Sequence, residues 1–381
     1  MGRTREQGGA SLFVVIFVTV IITILTVSFT ALMIKNQQQT SANDLSERAY
    51  DSAMAGVEDA KRVLVAMKTA CAPGGDVNQC TTLTNVLNQS ASSQNCATLR
   101  DTGITAGVKT SGGTYLETQV GKQADNQAYT CVTIDLKTPD YKDSLTADKP
   151  TVIPLVSDPL TPFDSVKISW FTRDDASAAG QTNLADNSVH YYNNVGDTPL
   201  PQDNNWGSAP SLMRAQYIPG SGNASTLTTD AKTLFLYPQR NGVAQASFNL
   251  DSHDSSMKAM KPIIASCQNY TPINGACSMT MTLPSATTNA YLQLTPLYNA
   301  THVTVELYNS ATLVDFNGVQ PLVDSNGRAS NLFRRVAARV KVSNVSLPYP
   351  EGAIDVHGNL CKVFTLVDNN GNAYNPGNCN P

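Results

Sequence analysis

The sequence predicts an α+β protein: one long N-terminal helix, then a disulfide-stapled, mainly antiparallel β region of sandwich or jelly-roll-like type. Three observations predict it. Residues 10–34 hold no charge, proline or glycine. The first proline of the 381-residue chain is Pro73, and Gly56 is the only glycine between 10 and 73. Beyond residue 129, short alternating apolar runs follow one another, separated by clusters of Gly, Asn, Asp and Ser.

The helix comes first in the chain. Residues 10–34 would span about 37 Å as a helix, more than the roughly 30 Å hydrocarbon core of a bilayer. Val14, Val15, Ile16, Val18, Ile21 and Ile22 are β-branched, which disfavours helix in water. In lipid the backbone must satisfy its own hydrogen bonds, so helix wins. A secretory signal peptide has a shorter apolar core and a small-residue cleavage site. Here Lys35 and three glutamines follow the run without a break. Arg3 and Arg5 before the segment predict a cytoplasmic N-terminus. Apolar residues then recur at Leu45, Ala49, Ala53, Val57, Ala60, Leu64 and Met67, the spacing of one helix face. A single helix over about 10–69 follows, apolar all round in its first half and amphipathic in its second.

These residues resemble a known family. A short charged leader ending in Gly8-Gly9, an apolar helix and an amphipathic continuation form the layout of type IV pilins and pseudopilins. The stretch holding Ala49, Tyr50, Ala53, Ala55, Gly56, Val57 and Glu58 is similar to the helix motif of PilX-like minor pilins. The resemblance covers about residues 5–65. It implies that a prepilin peptidase cuts after Gly9 and leaves Ala10 as the mature N-terminus, with Gly8 as the second choice of site. Loss of Arg3, Arg5 and Glu6 would take the formal charge from −4 to −5. It also implies that other pilins pack against the apolar helix, which resides in the cytoplasmic membrane before assembly. One departure stands out: the family glutamate at the fifth mature position is replaced by Val14, or by Phe13 if Gly8 is the site. Some minor subunits of the family also lack it. The departure weakens a shaft role more than the family resemblance, and points to a minor subunit at or near the filament tip.

Composition bounds the remainder. Only 15% of residues are charged, which with abundant Ser, Thr, Asn and Gly suits an extracellular β-rich chain better than a cytosolic enzyme. A net charge of −4 gives no basic excess, so no nucleic-acid partner is expected. Eight cysteines lie beyond the apolar segment without a C-x-x-C pair, and four histidines are scattered, so zinc is a poor reading and disulfides a better one. Eight buried thiols are the alternative. Sequence-local pairing is expected: Cys71–Cys80, Cys96–Cys131, Cys267–Cys277 and Cys361–Cys379, one of 105 connectivities for eight cysteines.

The expected organisation is a leader at 1–9, a membrane or filament-core helix at 10–34, and its amphipathic continuation at 35–69. A small pilin-like α/β region follows at 70–137, with a short helix near 82–87 and a first strand at 129–136. Prolines 139, 150, 154, 159 and 162 mark 138–163 as an irregular connector. A β-rich domain occupies 164–381, with strands near 166–171, 213–218, 233–237, 278–283, 291–294, 303–308, 333–342 and 361–366. Asp324-Ser-Asn-Gly327 and Asp368-Asn-Asn-Gly371 read as turns between them. In the strand at 333–342, Val336, Ala338, Val340 and Val342 should face the core. Arg335, Arg339 and Lys341 should form a basic row outside, either a site for an acidic partner or a solvated face paired with acidic neighbours.

Chemistry is sparse. There is no G-x-S-x-G motif and no complete P-loop, so no catalytic residues, cofactor or metal are expected. Asp174-Asp175 read as turn residues rather than an acid/base pair. The starts of oxygen-rich loops at Asp315/Asn317, Asp324/Asn326 and Asp368/Asn370 lack the distal glutamate of a calcium loop, and Asx turns account for them. Trp170 reads as core. Trp206, with Tyr191-Tyr192, is the better exposed candidate for stacking on a sugar, although burial is the plainer reading. The expected function is therefore a non-catalytic minor subunit of a pilus-like surface filament. Its β-rich head would serve assembly or adhesion to a host or partner cell surface. The alternative is a membrane-tethered binding protein that does not assemble.

Overall fold

The computed structural model describes residues 8–72, 74–93, 95–96, 98–104, 108–111, 115–119, 127–178, 206, 209–220, 231–240, 247–250, 263–267, 277–342, 366–367 and 373–374. They form one long helix followed by a mainly antiparallel β region carrying disulfides. The chain divides into two compact units: residues up to Ile134 with Val323–Ala338, and Asp135–Leu322 with Arg339 onward.

In the first unit, α1 runs unbroken from Gly8 to Cys71, 64 residues or about 96 Å. It stops where it must: Pro73 offers no N–H, and Gly74 turns at φ 84°. Asp76 then caps α2 (Val77–Ser93), its carboxylate accepting the Asn78 and Gln79 N–H groups at 2.9 and 3.1 Å. This helix starts earlier and ends later than the 82–87 segment expected, because Asp76 supplies a start that apolar spacing does not reveal. Cys71–Cys80 ties α2 to the end of α1. A short α3 (Thr98–Asp101) follows, then β1 (Val108–Ser111), β2 (Tyr115–Gln119) and β3 (Gln127–Thr138). Cys96–Cys131 fastens the approach to α3 onto β3. Val132, Ile134 and Leu136 alternate inward along β3, as a half-buried strand requires.

The second unit begins where an irregular connector was expected and contains strands instead: β4 (Tyr141–Leu145), β5 (Thr151–Val156) and the start of β6 (Phe163–Trp170). The prolines fit this correction. Pro139 and Pro150 precede strands, and Pro159 and Pro162 occupy a turn. Pro154 sits in β5, which ends its sheet, so the missing N–H breaks no ladder. The chain continues through α4 (Arg173–Ala178), β7 (Leu212–Pro219), β8 (Lys232–Arg240), β9 (Ser247–Asn249), β10 (Ile263–Cys267), β11 (Cys277–Thr287), β12 (Asn289–Leu297), β13 (Thr301–Asn309) and β14 (Thr312–Val314). Then come β15 (Phe316–Ala329), β16 (Leu332–Arg339), β17 (Leu366–Val367) and β18 (Ala373–Tyr374).

Eleven strands share one sheet in the order β14-β13-β6-β11-β10-β8-β7-β12-β5, with β4 also beside β13 and β9 beside β11. Only β8·β10 and β9·β11 are parallel among the pairs whose register is defined. Phe163, Ile168, Trp170, Met279, Met281, Leu292, Val305 and Leu307 fill its core. Cys267 and Cys277 face each other across β10·β11 and are bonded. The second sheet runs β1-β2-β3-β15-β16, and β17 pairs with β18. Asp324-Ser-Asn-Gly327 is not a turn. It lies inside β15, with Ser325 fully buried.

Candidate functional site

On α1, two surfaces share one helix. From Phe13 to Ile34, sixteen large apolar side chains stand exposed, far beyond what a water-soluble surface sustains. By length and composition this helix could cross a membrane. Its hydroxyls are already satisfied within the helix: Thr19 donates to the Ile16 carbonyl, Ser28 to Ile24 and Thr30 to Thr26, each at 2.8 Å. Such back-bonding satisfies these hydroxyls without water.

From Ala49 onward the same helix turns a face of small residues to a sheet. Ala49, Ala53, Val57 and Ala60 are buried there. A Cβ added to Gly56 would come within 3.0 Å of Ser325 and Val132. A Cβ on Gly327 of β15 would do the same to the backbone of Ala49 and Ala53. Helix and strand therefore meet backbone to backbone, and Gly327 is glycine because the helix leaves no room. The Ala49–Gly56 spacing thus has a local packing cause. Tyr50 and Glu58 of the same motif point outward and Ala55 is half-buried. Tyr129 Oη donates to Asp59 Oδ2 at 2.7 Å, and Arg62 pairs with that carboxylate. Arg334 Nε donates to Ser46 Oγ at 2.7 Å.

Gly8, Gly9 and Ala10 open α1. Three of the four named cysteine pairs are bonded, while Cys361 and Cys379 lie outside the described residues. Trp206 is not an exposed platform. It is 2% exposed, its ring stacked on Tyr298 at 4.2 Å and set edge-on to Tyr237 at 5.7 Å. With Nε1 donating to the Pro210 carbonyl, no ring face remains for a sugar. Trp170 is in the core, donating to the Ser211 carbonyl. Tyr191 and Tyr192 lie outside the described residues.

The basic row is paired rather than open: Arg335 with Asp324, Arg339 with Asp140, and Lys341 with Asp143. Asp324 of the second oxygen-rich stretch, within β15, is thus the Arg335 partner. Asp315 is exposed beside β14, and Asp368 and Asn370 lie outside the described residues. Asp175 opens α4 as a hub, accepting from Thr172 N at 2.8 Å, His302 N at 2.9 Å and the His302 ring at 2.7 Å. It secures the edge of β13 where β6 has left the sheet.

Charge shifts follow burial and pairing. The Leu160 N–H, then Lys137, hold the Asp158 carboxyl below the usual range. Burial and then Asp143 push the Tyr141 phenol well up, and burial alone pushes Tyr217 up to about 12. A groove beside Leu160 and Leu313 is not apparent from apolar spacing. Its only signal was the dipeptide-spaced prolines flanking an apolar residue in Asp158-Pro-Leu-Thr-Pro162.

No family model matches the chain, and no curated protein or solved structure matches it either.

Proposed function

We propose that this chain is a non-catalytic minor subunit of a type IV pilus-like filament, standing at or near its tip. The observation that carries the reading is α1 itself: one unbroken helix, bare and apolar to Ile34, then locked to a sheet by Ala49, Ala53, Gly56 and Gly327. A tether needs only the first half. A helix that must transmit its position rigidly to a folded head needs both. In this reading the leader is cut after Gly9 by a prepilin peptidase, and the helix rests in the cytoplasmic membrane until it joins other pilins outside the cell. The β region forms a sandwich- or jelly-roll-like head for assembly or for adhesion to another cell surface. The absent carboxylate at Val14 supports the tip. A mature N-terminal ammonium buried among apolar helices is costly without a partner, and only the first subunit has no neighbour ahead of it to neutralise. The same absence favours the second reading, a membrane-tethered binding protein that never assembles.

N-terminal mass spectrometry of sheared surface filaments separates the two. Recovery of a chain beginning at Ala10 supports the subunit. Filament material still beginning MGRTR, or none of the chain in filaments, overturns it. Immunogold against the β region then reads position: label confined to ends supports the tip, and regular label along the shaft refutes it.

A further inference from the structure

At one end of the eleven-stranded sheet, β14 pairs with β13 alone among the described residues. The register Asn309↔Thr312 and Tyr308↔Leu313 makes a two-residue hairpin over Ser310-Ala311, with Ser310 at φ 57°. In such a hairpin the closing pair is hydrogen-bonded, and the next pair turns its main-chain groups outward. Leu313 therefore offers an N–H and a C=O to the open side. A groove of about 450 Å³ is lined by all three residues of β14, with Leu160 and Asp315.

Its walls are built, not loose. Leu160 is 90% exposed and Leu313 41%, yet the loop that carries Leu160 is braced at four points. Asp158 Oδ1 accepts the Leu160 N–H at 3.0 Å, and Ser157 Oγ donates to the Thr161 carbonyl at 2.8 Å. Asn309 Nδ2 donates to the Pro162 carbonyl at 2.9 Å, and Lys137 pairs with Asp158 at 3.1 Å. A leucine held rigidly in water forgoes the stabilisation that burial would return, and its ordering cost has already been met. Asp315, exposed on the groove's lining, has no ion-pair partner among the described residues. Among the described residues no aromatic ring lines the groove, which argues against a sugar.

We propose that this edge receives an extended polypeptide segment. The segment pairs with the outward main chain of Leu313, sets an aliphatic side chain between Leu160 and Leu313, and brings a lysine or arginine to Asp315. This is strand addition with a side-chain pocket for specificity. The three residues of β14 allow only a short ladder, so single contacts are weak and gain from repetition along a surface. The site lies wholly within the second unit and stands whether or not α1 joins a filament.

The test uses the full chain in detergent micelles. The probes are an array of fluorescein-labelled pentapeptides with a central lysine between two aliphatic residues, read by anisotropy. Saturable binding is expected for part of the array. Backbone N-methylation of the bound peptide and Leu160→Ser should each weaken it about tenfold or more, and Asp315→Asn by about threefold to tenfold, while Leu160→Met leaves it near the parent value. Both substituted side chains are exposed, and unchanged circular dichroism confirms folding. No saturable member up to about 1 mM, binding indifferent to N-methylation and Leu160→Ser, or saturation by a neutral oligosaccharide instead of peptide would each overturn the proposal.

Discussion

The two units are held together in opposite ways. In the first, α1 and β15 approach so closely that Ala49, Ala53, Gly56, Ser325 and Gly327 leave no volume between backbones. In the second, large side chains such as Phe163, Trp170, Met279 and Met281 fill the space within the β-rich fold. A close backbone contact cannot absorb an added methyl, because no side chain is there to swing aside. A side-chain core adapts to additions somewhat, but loses heavily when atoms are removed. The first unit should therefore be sensitive to growth and the second to truncation.

Gly327→Val tests the close helix–strand contact most directly. The new side chain meets helix backbone rather than a flexible neighbour, so a loss of about 4 kcal/mol or more is expected, with the helix–sheet unit failing to fold. Denaturant melts and proteolysis check it; a variant as stable as the parent would dismiss the close-contact account. In the second unit, Trp206→Ala removes a buried ring stacked on Tyr298 and should cost about 3–4 kcal/mol. The parent's tryptophan emission should be blue-shifted and indifferent to soluble quenchers, whereas an exposed Trp206 would be quenched. Replacing Cys96 and Cys131 by serine opens a loop of sequence separation 35 at a cost of about 4 kcal/mol, read as a shift in the thermal midpoint.

The buried Tyr217 phenol titrates near 12 in the fold, against about 10 in an unfolded chain. Its stabilising share is complete below pH 10 and fades as pH rises from 10 towards 12, because the unfolded chain ionises first. The loss is about 2 kcal/mol, and Tyr217→Phe should flatten this alkaline fall in denaturant midpoints. Least of all, Gly74→Ala adds a methyl in open space but at φ 84°. Backbone strain alone sets its cost at about 1 kcal/mol, well short of Gly327→Val.

Much of the fold could be read from residue order because its causes are local. An apolar run of membrane-spanning length without proline or glycine reads as a helix, Pro73 and Gly74 end it, and alternation along β3, β6, β7, β8, β11, β12 and β13 marks strands. The Cys71–Cys80 and Cys267–Cys277 loops are short enough to close on themselves. Other features could not be read that way. Asp324-Ser-Asn-Gly327 has the composition of a turn, and only the backbone of Ala49 and Ala53 pressing on Gly327 makes it a strand. Pro154 looks like a strand breaker until β5 is placed at the end of a sheet, where its missing N–H costs no bond. Trp206 sits among polar residues in the chain and is buried by Tyr237 and Tyr298, which lie far from it in sequence. Leu160 is unremarkable in sequence and becomes a groove wall only through braces from Lys137 and Asn309. Local sequence determined where backbone hydrogen bonds close within a few residues. Tertiary structure decided every case in which the deciding neighbour, be it a helix backbone, a sheet edge or an aromatic ring, came from a distant part of the chain.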